Sequence, residues 1–220
     1  MKPSTNRRVG ADSVRAVFVK ICGITTVEDG LLCSNEGADL LGFVLYPGSK
    51  RFVSPEQAAG IIRELPAKTA KVAVLVNPGF RELDLILQRG IFDVIQLHGE
   101  EKPELCSAIP LPVIKAFRVH PGFDLSQIDA YNGATPLFDS FSKEERGGTG
   151  KTFDHALIPS RFAGKFILSG GLSIDNVVEA VRKTEPLAID LSSSLELSAG
   201  RKDPGKVKRF FEILRKEALI

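Results

Sequence analysis

The 220-residue chain has little net charge: 29 Lys and Arg against 27 Asp and Glu leave a formal +2. No global field therefore draws it to nucleic acid or to an anionic membrane surface, and any anionic ligand must be met by local groups. Cysteine is scarce. Cys22, Cys33 and Cys106 are odd in number and form no CxxC pair, which argues against a disulfide framework and a structural zinc site. The three histidines, His98, His120 and His155, are too scattered to spell a metal triad, so no metal is expected. No run reaches the roughly 18 apolar residues of a membrane span. Behind Lys2, Arg7 and Arg8, the residues Gly10, Asp12, Ser13 and Arg15 stand where a secretory signal needs an apolar stretch. These absences predict a soluble protein of a reducing, cytoplasmic compartment, with residues 1–16 as a poorly ordered extension.

What is present is an alternation of short apolar, β-branched runs with longer segments of helical periodicity. Eight strands are predicted, over residues 17–21, 40–45, 72–76, 94–97, 113–117, 135–138, 166–168 and 187–191. Helices are predicted over 26–36, 54–64, 80–89, 103–108, 174–183 and 206–219. Ser54-Pro55-Glu56 supplies a cap before a first-turn proline, and Ser173 precedes Ile174, Asp175 and Asn176. No Pro/Gly/Ser-rich linker interrupts these units, so the expectation is a single (β/α)8 TIM barrel over residues 17–220. The fifth unit is the weakest, because 123–128 makes a poor helix, and an open doubly wound sheet stays the alternative.

On a barrel, polar residues just past the strands' C-terminal ends share one pocket. That rule selects Cys22, Arg51, His98, Asp139, the Ser169-Gly170-Gly171 turn and the Ser192-Ser193-Ser194 run. Cys22 ends the first strand and precedes Gly23. It reads either as a small buried hydrophobe or, if nearby positive charge lowers its pKa, as a thiolate base. Cys33 and Cys106 lie inside helices and keep the buried reading. Asp139 ends the sixth strand and reads either as a turn former or helix cap or, lying on another side of the mouth from Cys22, as its partner in exchanging protons at opposite ends of one ligand. The two small-residue turns follow adjacent strands, where barrels build phosphate sites from loop amides. Arg51 reads as a bidentate partner for a ligand carboxylate or as a solvated loop cation. Gly147-Gly148-Thr149-Gly150-Lys151-Thr152 resembles the end of a P-loop, but Glu145 stands where that motif's first glycine belongs. The segment reads instead as a loop that closes over an anion, or simply as a flexible connection.

Taken in order, Lys20-Ile21-Cys22-Gly23-Ile24-Thr25, Gly42-Phe43-Val44 with Ser49-Lys50-Arg51, Gln96-Leu97-His98-Gly99-Glu100, Gly147 to Asp154, Leu168-Ser169-Gly170-Gly171-Leu172 and Asp190-Leu191-Ser192-Ser193 resemble phosphoribosylanthranilate isomerases of tryptophan biosynthesis. The resemblance implies a cofactor-free Amadori rearrangement of a small phosphorylated substrate, with no nucleic-acid or membrane partner. It also implies that Asp139 is the general acid at the ribose ring oxygen, Cys22 the base that removes the C2 proton, and Arg51 the holder of the anthranilate carboxylate. By the same resemblance His98, Gly148, Gly150, Ser169, Gly170, Gly171, Asp190, Ser192 and Ser193 bind substrate. Such a pair predicts activity that falls on the alkaline side as Asp139 deprotonates and on the acid side as Cys22 becomes a thiol. Two departures stand out: Ser194 occupies a position that is usually glycine, and residues 141–146 are idiosyncratic. A serine there is expected to tighten the phosphate loop if the backbone needs φ > 0. Two other readings remain. A related barrel enzyme would use paired aspartates or a catalytic lysine, for which Lys20 is the candidate. A barrel that only binds a phosphorylated ligand would show no turnover. Nothing in the sequence sets an oligomeric state.

Overall fold

The computed structural model describes residues 17–120, 122–140 and 158–220. Residues 1–16, expected as an extension, lie outside the described residues, as do Gly148, Gly150 and the rest of 141–157.

Eight parallel strands close in sequence order: β1 (Phe18–Cys22), β2 (Leu40–Val44), β3 (Ala70–Leu75), β4 (Val94–Leu97), β5 (Val113–Val119), β6 (Ala134–Ser140), β7 (Ile167–Leu168) and β8 (Ala188–Leu191). Closure is direct, since β1 pairs with β8 from Phe18↔Ala188 to Ile21↔Leu191. The barrel expectation thus holds and the open sheet is excluded. Strands buried on both faces read as continuous apolar runs, and their parity sorts them into two cores. Val19, Ile21, Leu41, Phe43, Ile95 and Leu97 face the helices, whereas Val44, Val72, Val74, Ile114, Leu137, Ile167 and Ala188 fill the interior. Followed upward by steps of two, the interior series runs into Cys22, Gln96, Asp139 and Asp190, so the pleat alone points these polar groups into the barrel mouth.

The outer layer is α1 (Val27–Glu36), α2 (Pro55–Arg63), α3 (Phe80–Gln88), α4 (Pro103–Ala108), α5 (Val177–Thr184) and α6 (Pro204–Lys216). Ser54 and Gln57 form a full capping box ahead of α2. Asp203 caps α6 by accepting from Gly205 N–H and Lys206 N–H, and Pro204 occupies the first turn. The fifth connection, expected to be the weakest, holds a 3₁₀ turn, Leu125–Ala130. Two elements differ from expectation. Helix α5 begins at Val177 rather than 174, because Ser173 Oγ accepts from Asp175 N–H and Asn176 Oδ1 accepts from Ser173 N–H, bonds that compete with a helical first turn. An unforeseen hairpin, β9 (Glu196–Ser198) and β10 (Arg201–Lys202), fills the space between β8 and α6.

Candidate active site

A cavity of about 350 Å³ opens at the C-terminal end of the barrel. Cys22, Arg51, His98 and Asp139 line it, as do Ser169, Gly170 and Gly171 after β7, and Asp190, Ser192 and Ser193 at β8. Every candidate residue that is described therefore faces one space. An apolar wall of Val44 and Val74 on β2 and β3, with Tyr46 and Val76 just beyond those strands, completes it.

Cys22 is partly exposed at the end of β1, directly above Lys20 on the same face. Lys20 is wholly buried and donates to Asp190 Oδ1 at 2.9 Å. Its charge also acts on the Cys22 thiol. Gly42 makes the room: a Cβ there would sit 2.8 Å from Cys22 Sγ and 3.2 Å from Lys20 Nζ. The positive charge that a thiolate base needs is thus present, yet burial outweighs it and pushes the Cys22 thiol up, with Lys20 and Lys202 pulling down and Asp190 adding to the rise. The conditional expectation of a lowered pKa is corrected accordingly. In the Lys20–Asp190 pair, burial alone would lower the lysine, but Asp190 and Cys22 carry it above its usual value. Burial raises Asp190 against the pull of Lys20. These directions disagree about the shared proton. The ammonium–carboxylate form prevails, since an amine and a carboxyl start about six pH units apart and a 2.9 Å contact offsets much of the burial cost.

Asp139 lies across the mouth on β6 and is buried. Its Oδ2 is 3.3 Å from His98 Nε2, and His98 Nδ1 is 2.9 Å from Gln96 Nε2. Arg118 stands beside Asp139 in the β5–β6 register.

Arg51 follows β2 and turns back over Gly23, where a Cβ would come within 2.6 Å of Arg51 Cδ and 3.2 Å of Ser192 Oγ. Its guanidinium forks onto Glu196 of the hairpin, Nε to Oε1 at 2.9 Å and Nη2 to Oε2 at 2.7 Å. The solvated-loop reading of Arg51 is excluded. Glu196 also takes Lys202 Nζ at 3.0 Å, and that buried ammonium reaches Cys22 O at 2.6 Å. The hairpin therefore ties the loops carrying Cys22, Arg51 and Ser192 into one unit. Burial alone would raise the Glu196 carboxyl, but the hydrogen bonds from Arg51 and the charge of Lys202 hold it below its ordinary range. A carboxyl depressed by folding stabilises the fold above its unfolded titration near pH 4.3, and that contribution is lost as pH falls through the folded value. Glu196→Gln should therefore melt below the parent at neutral pH, with the gap closing under acid conditions. Melting temperature against pH for both chains checks this; a gap that widens in acid contradicts it.

At the other end of the cavity, Ser169-Gly170-Gly171 and the 3₁₀ turn Ser193–Leu195 face each other across β7 and β8. Asn176 Nδ2 braces the first turn through Gly171 O at 2.9 Å, and Ser192 Oγ donates to Cys22 O at 3.1 Å. Ser194 is not among the non-glycine residues at positive φ, so the expected strain at that position is absent. Its buried Oγ has no partner among the described residues.

Sequence reasoning offered Lys20 only as the catalytic lysine of a rival reading and assigned nothing to Gln96, Glu196 or Lys202. The period-two register with Cys22 and His98 was a usable signal for Lys20 and Gln96. No local signal announces that the hairpin carries Arg51's counter-ion, which arrives from 145 residues away. Among the described residues no group of His, Cys, Asp and Glu could hold a metal, and no helix is long and apolar enough to cross a membrane.

A family model described as N-(5′-phosphoribosyl)anthranilate (PRA) isomerase matches residues 19–213. The N-(5′-phosphoribosyl)anthranilate isomerase of Nitrosomonas eutropha is 45% identical over 201 residues, covering 90% of this chain and 97% of that protein. The crystal structure of phosphoribosyl anthranilate isomerase from Thermus thermophilus superposes with a TM-score of 0.83 at 35% identity, covering 91% of this chain and 99% of that one. A phosphoribosyl anthranilate isomerase solved with reduced 1-(o-carboxyphenylamino)-1-deoxyribulose 5-phosphate gives a TM-score of 0.78 at 36% identity, with coverage of 91% and 99%.

Proposed function

The chain belongs to the N-(5′-phosphoribosyl)anthranilate isomerase family, and from that premise we propose that it performs the family's reaction with Asp139 as general acid and Cys22 as general base. The enzyme isomerises N-(5-phosphoribosyl)anthranilate to 1-(2-carboxyphenylamino)-1-deoxyribulose 5-phosphate in tryptophan biosynthesis. Protonation of the ring oxygen by Asp139 lets the C1–O bond break while the anilino nitrogen lone pair forms a C1=N iminium. The Cys22 thiolate then removes the C2 proton, and the C2–H electrons form an enolamine as the nitrogen regains its pair. Loss of the enol proton and protonation at C1 give the ketone, so atoms and electrons balance without a redox partner or cofactor.

The observation that supports this reading is the placement of Cys22 and Asp139 on one cavity between a cationic end and a small-residue end. Arg51, oriented by Glu196, suits the anthranilate carboxylate, and the apolar wall beside it suits the aromatic ring. The phosphate goes to the turns after β7 and β8, where Ser169, Gly170, Gly171, Ser192 and Ser193 bring backbone donors together. Gly148 and Gly150 are assigned to substrate binding on the resemblance alone. We place the reaction in the cytoplasm, because a charged phosphate ester is its substrate and Cys22, Cys33 and Cys106 are free thiols.

Loss of anthranilate fluorescence when the protein meets freshly made phosphoribosylanthranilate tests the function; no turnover would leave a binding barrel. Arg51→Ala should raise KM more than it lowers kcat, since a clamp remote from the reacting carbons supplies largely uniform binding. Steady-state kinetics decide, and an unchanged KM with a large kcat loss contradicts the assignment.

A further inference from the structure

Gln96 is buried at 1% exposure on β4, one pleat below His98, in the floor of the cavity. Its amide nitrogen lies 2.9 Å from His98 Nδ1, while its carbonyl oxygen has no partner among the described residues. A buried amide leaves an acceptor unmatched only at a cost, and on a residue that lines a ligand cavity such an acceptor points to a donor on the ligand. The amide's other end has a separate consequence. When Nε2–H donates to Nδ1, the neutral ring must carry its proton on Nε2, the atom that faces Asp139 Oδ2 at 3.3 Å. A donor held against Oδ2 leaves the transferable proton of the carboxylic acid to Oδ1.

We propose that Gln96 is a positioning residue for the isomerisation: its N–H fixes the His98 tautomer that orients the Asp139 carboxyl, and its carbonyl accepts a hydrogen bond from a hydroxyl or N–H of the sugar-amine substrate. The two roles reinforce each other, because a substrate donor at Oε1 keeps the amide's nitrogen turned to His98. The inference rests on Asp139 being the acid. The groups that share this region are Asp190 on β8, which feels both His98 and Asp139, its partner Lys20, Cys22 on β1 and Arg118 on β5. None of them hydrogen-bonds Nδ1 among the described residues, so the tautomer is set by Gln96.

The test pairs ring-nitrogen NMR on the intact protein with kinetics. In the parent the His98 proton should sit on Nε2; in Gln96→Glu, whose carboxylate only accepts, it should appear on Nδ1, and in Gln96→Leu the preference should be lost. Gln96→Leu should lower kcat by about tenfold and raise KM. In a His98→Ala background the same change should leave kcat within about twofold, because residues acting through one another are not additive, while KM still rises. An unchanged His98 tautomer in both variants, or an additive kcat loss, overturns the positioning role. An unchanged KM overturns the substrate contact. The NMR measurement needs no turnover, and Asp139→Asn with parental kcat would instead sink the acid assignment on which the inference stands.

Discussion

Cys22→Ser and Asp139→Asn should each lower kcat by about 10²- to 10⁴-fold, the usual contribution of a general acid or base, while leaving product affinity largely intact. Neither group can substitute for the other. They sit on β1 and β6, with β7 and β8 between them on one side of the mouth and β2 to β5 on the other. Serine nearly keeps the volume of Cys22 but is a far weaker base near neutral pH. Cys106→Ser is the control, because Cys106 is buried in α4 away from the cavity. The pH profile carries a second part of the expectation. Thiols ordinarily lose their proton far above carboxylic acids, and burial pushes the Cys22 thiol further up. The productive form, thiolate with carboxylic acid, is then the minor one of two singly protonated forms, and a bell still results because both share one proton count. Its alkaline limb belongs to the thiol, which reverses the order expected from sequence. Rate profiles of kcat should therefore show Cys22→Ser displacing the alkaline limb upward. A Cys106→Ser loss as large as that of Cys22→Ser, or more than about a tenth of parental kcat kept by Cys22→Ser, removes the assigned base.

Much of this site could be read before any coordinates because strand ends and pleat parity are local properties. Cys22, His98 and Asp139 follow apolar runs whose lengths place their last residues at the barrel mouth, and the turns after β7 and β8 announce themselves by small residues. What could not be read is pairing across sequence distance. The residues alone left Arg51 between a carboxylate partner and a solvated loop cation until Glu196 supplied a counter-ion, and the partner of Lys20, Asp190, faces it from 170 residues away. The fifth unit shows the same limit from the other side. The segment around 125–130 has too little helical pattern for an α-helix, and β5 and β6 still pair along seven residues without one. The start of α5 was misplaced because periodicity does not register the competition of Ser173 and Asn176 side chains for backbone groups.

Lys20→Met should separate what holds the barrel together from what makes Cys22 a base. The substitution strands the Asp190 carboxylate, buried at 6% exposure, without its ammonium. Breaking a buried pair in this way typically costs about 3–5 kcal/mol. It also removes the largest influence that pulls the Cys22 thiol down, so the thiol rises further, the thiolate is scarcer at neutral pH, kcat falls and the alkaline limb moves up. A barrel that had merely lost stability would also lose activity here, so the single variant alone does not discriminate. The double variant Lys20→Met/Asp190→Leu does. Replacing a buried ion pair by apolar groups is often neutral or stabilising, and the melting temperature should return toward the parent. Catalysis should not return with it. Asp190 raises the thiol less than Lys20 lowers it, so removing both still leaves Cys22 a poorer base than in the parent, with an alkaline limb between those of the parent and the single variant. Melting curves and kcat profiles on the three chains test this directly. If the double variant regained kcat along with stability, Lys20 would be a structural counter-ion and the cation beside the thiol would have no part in the chemistry.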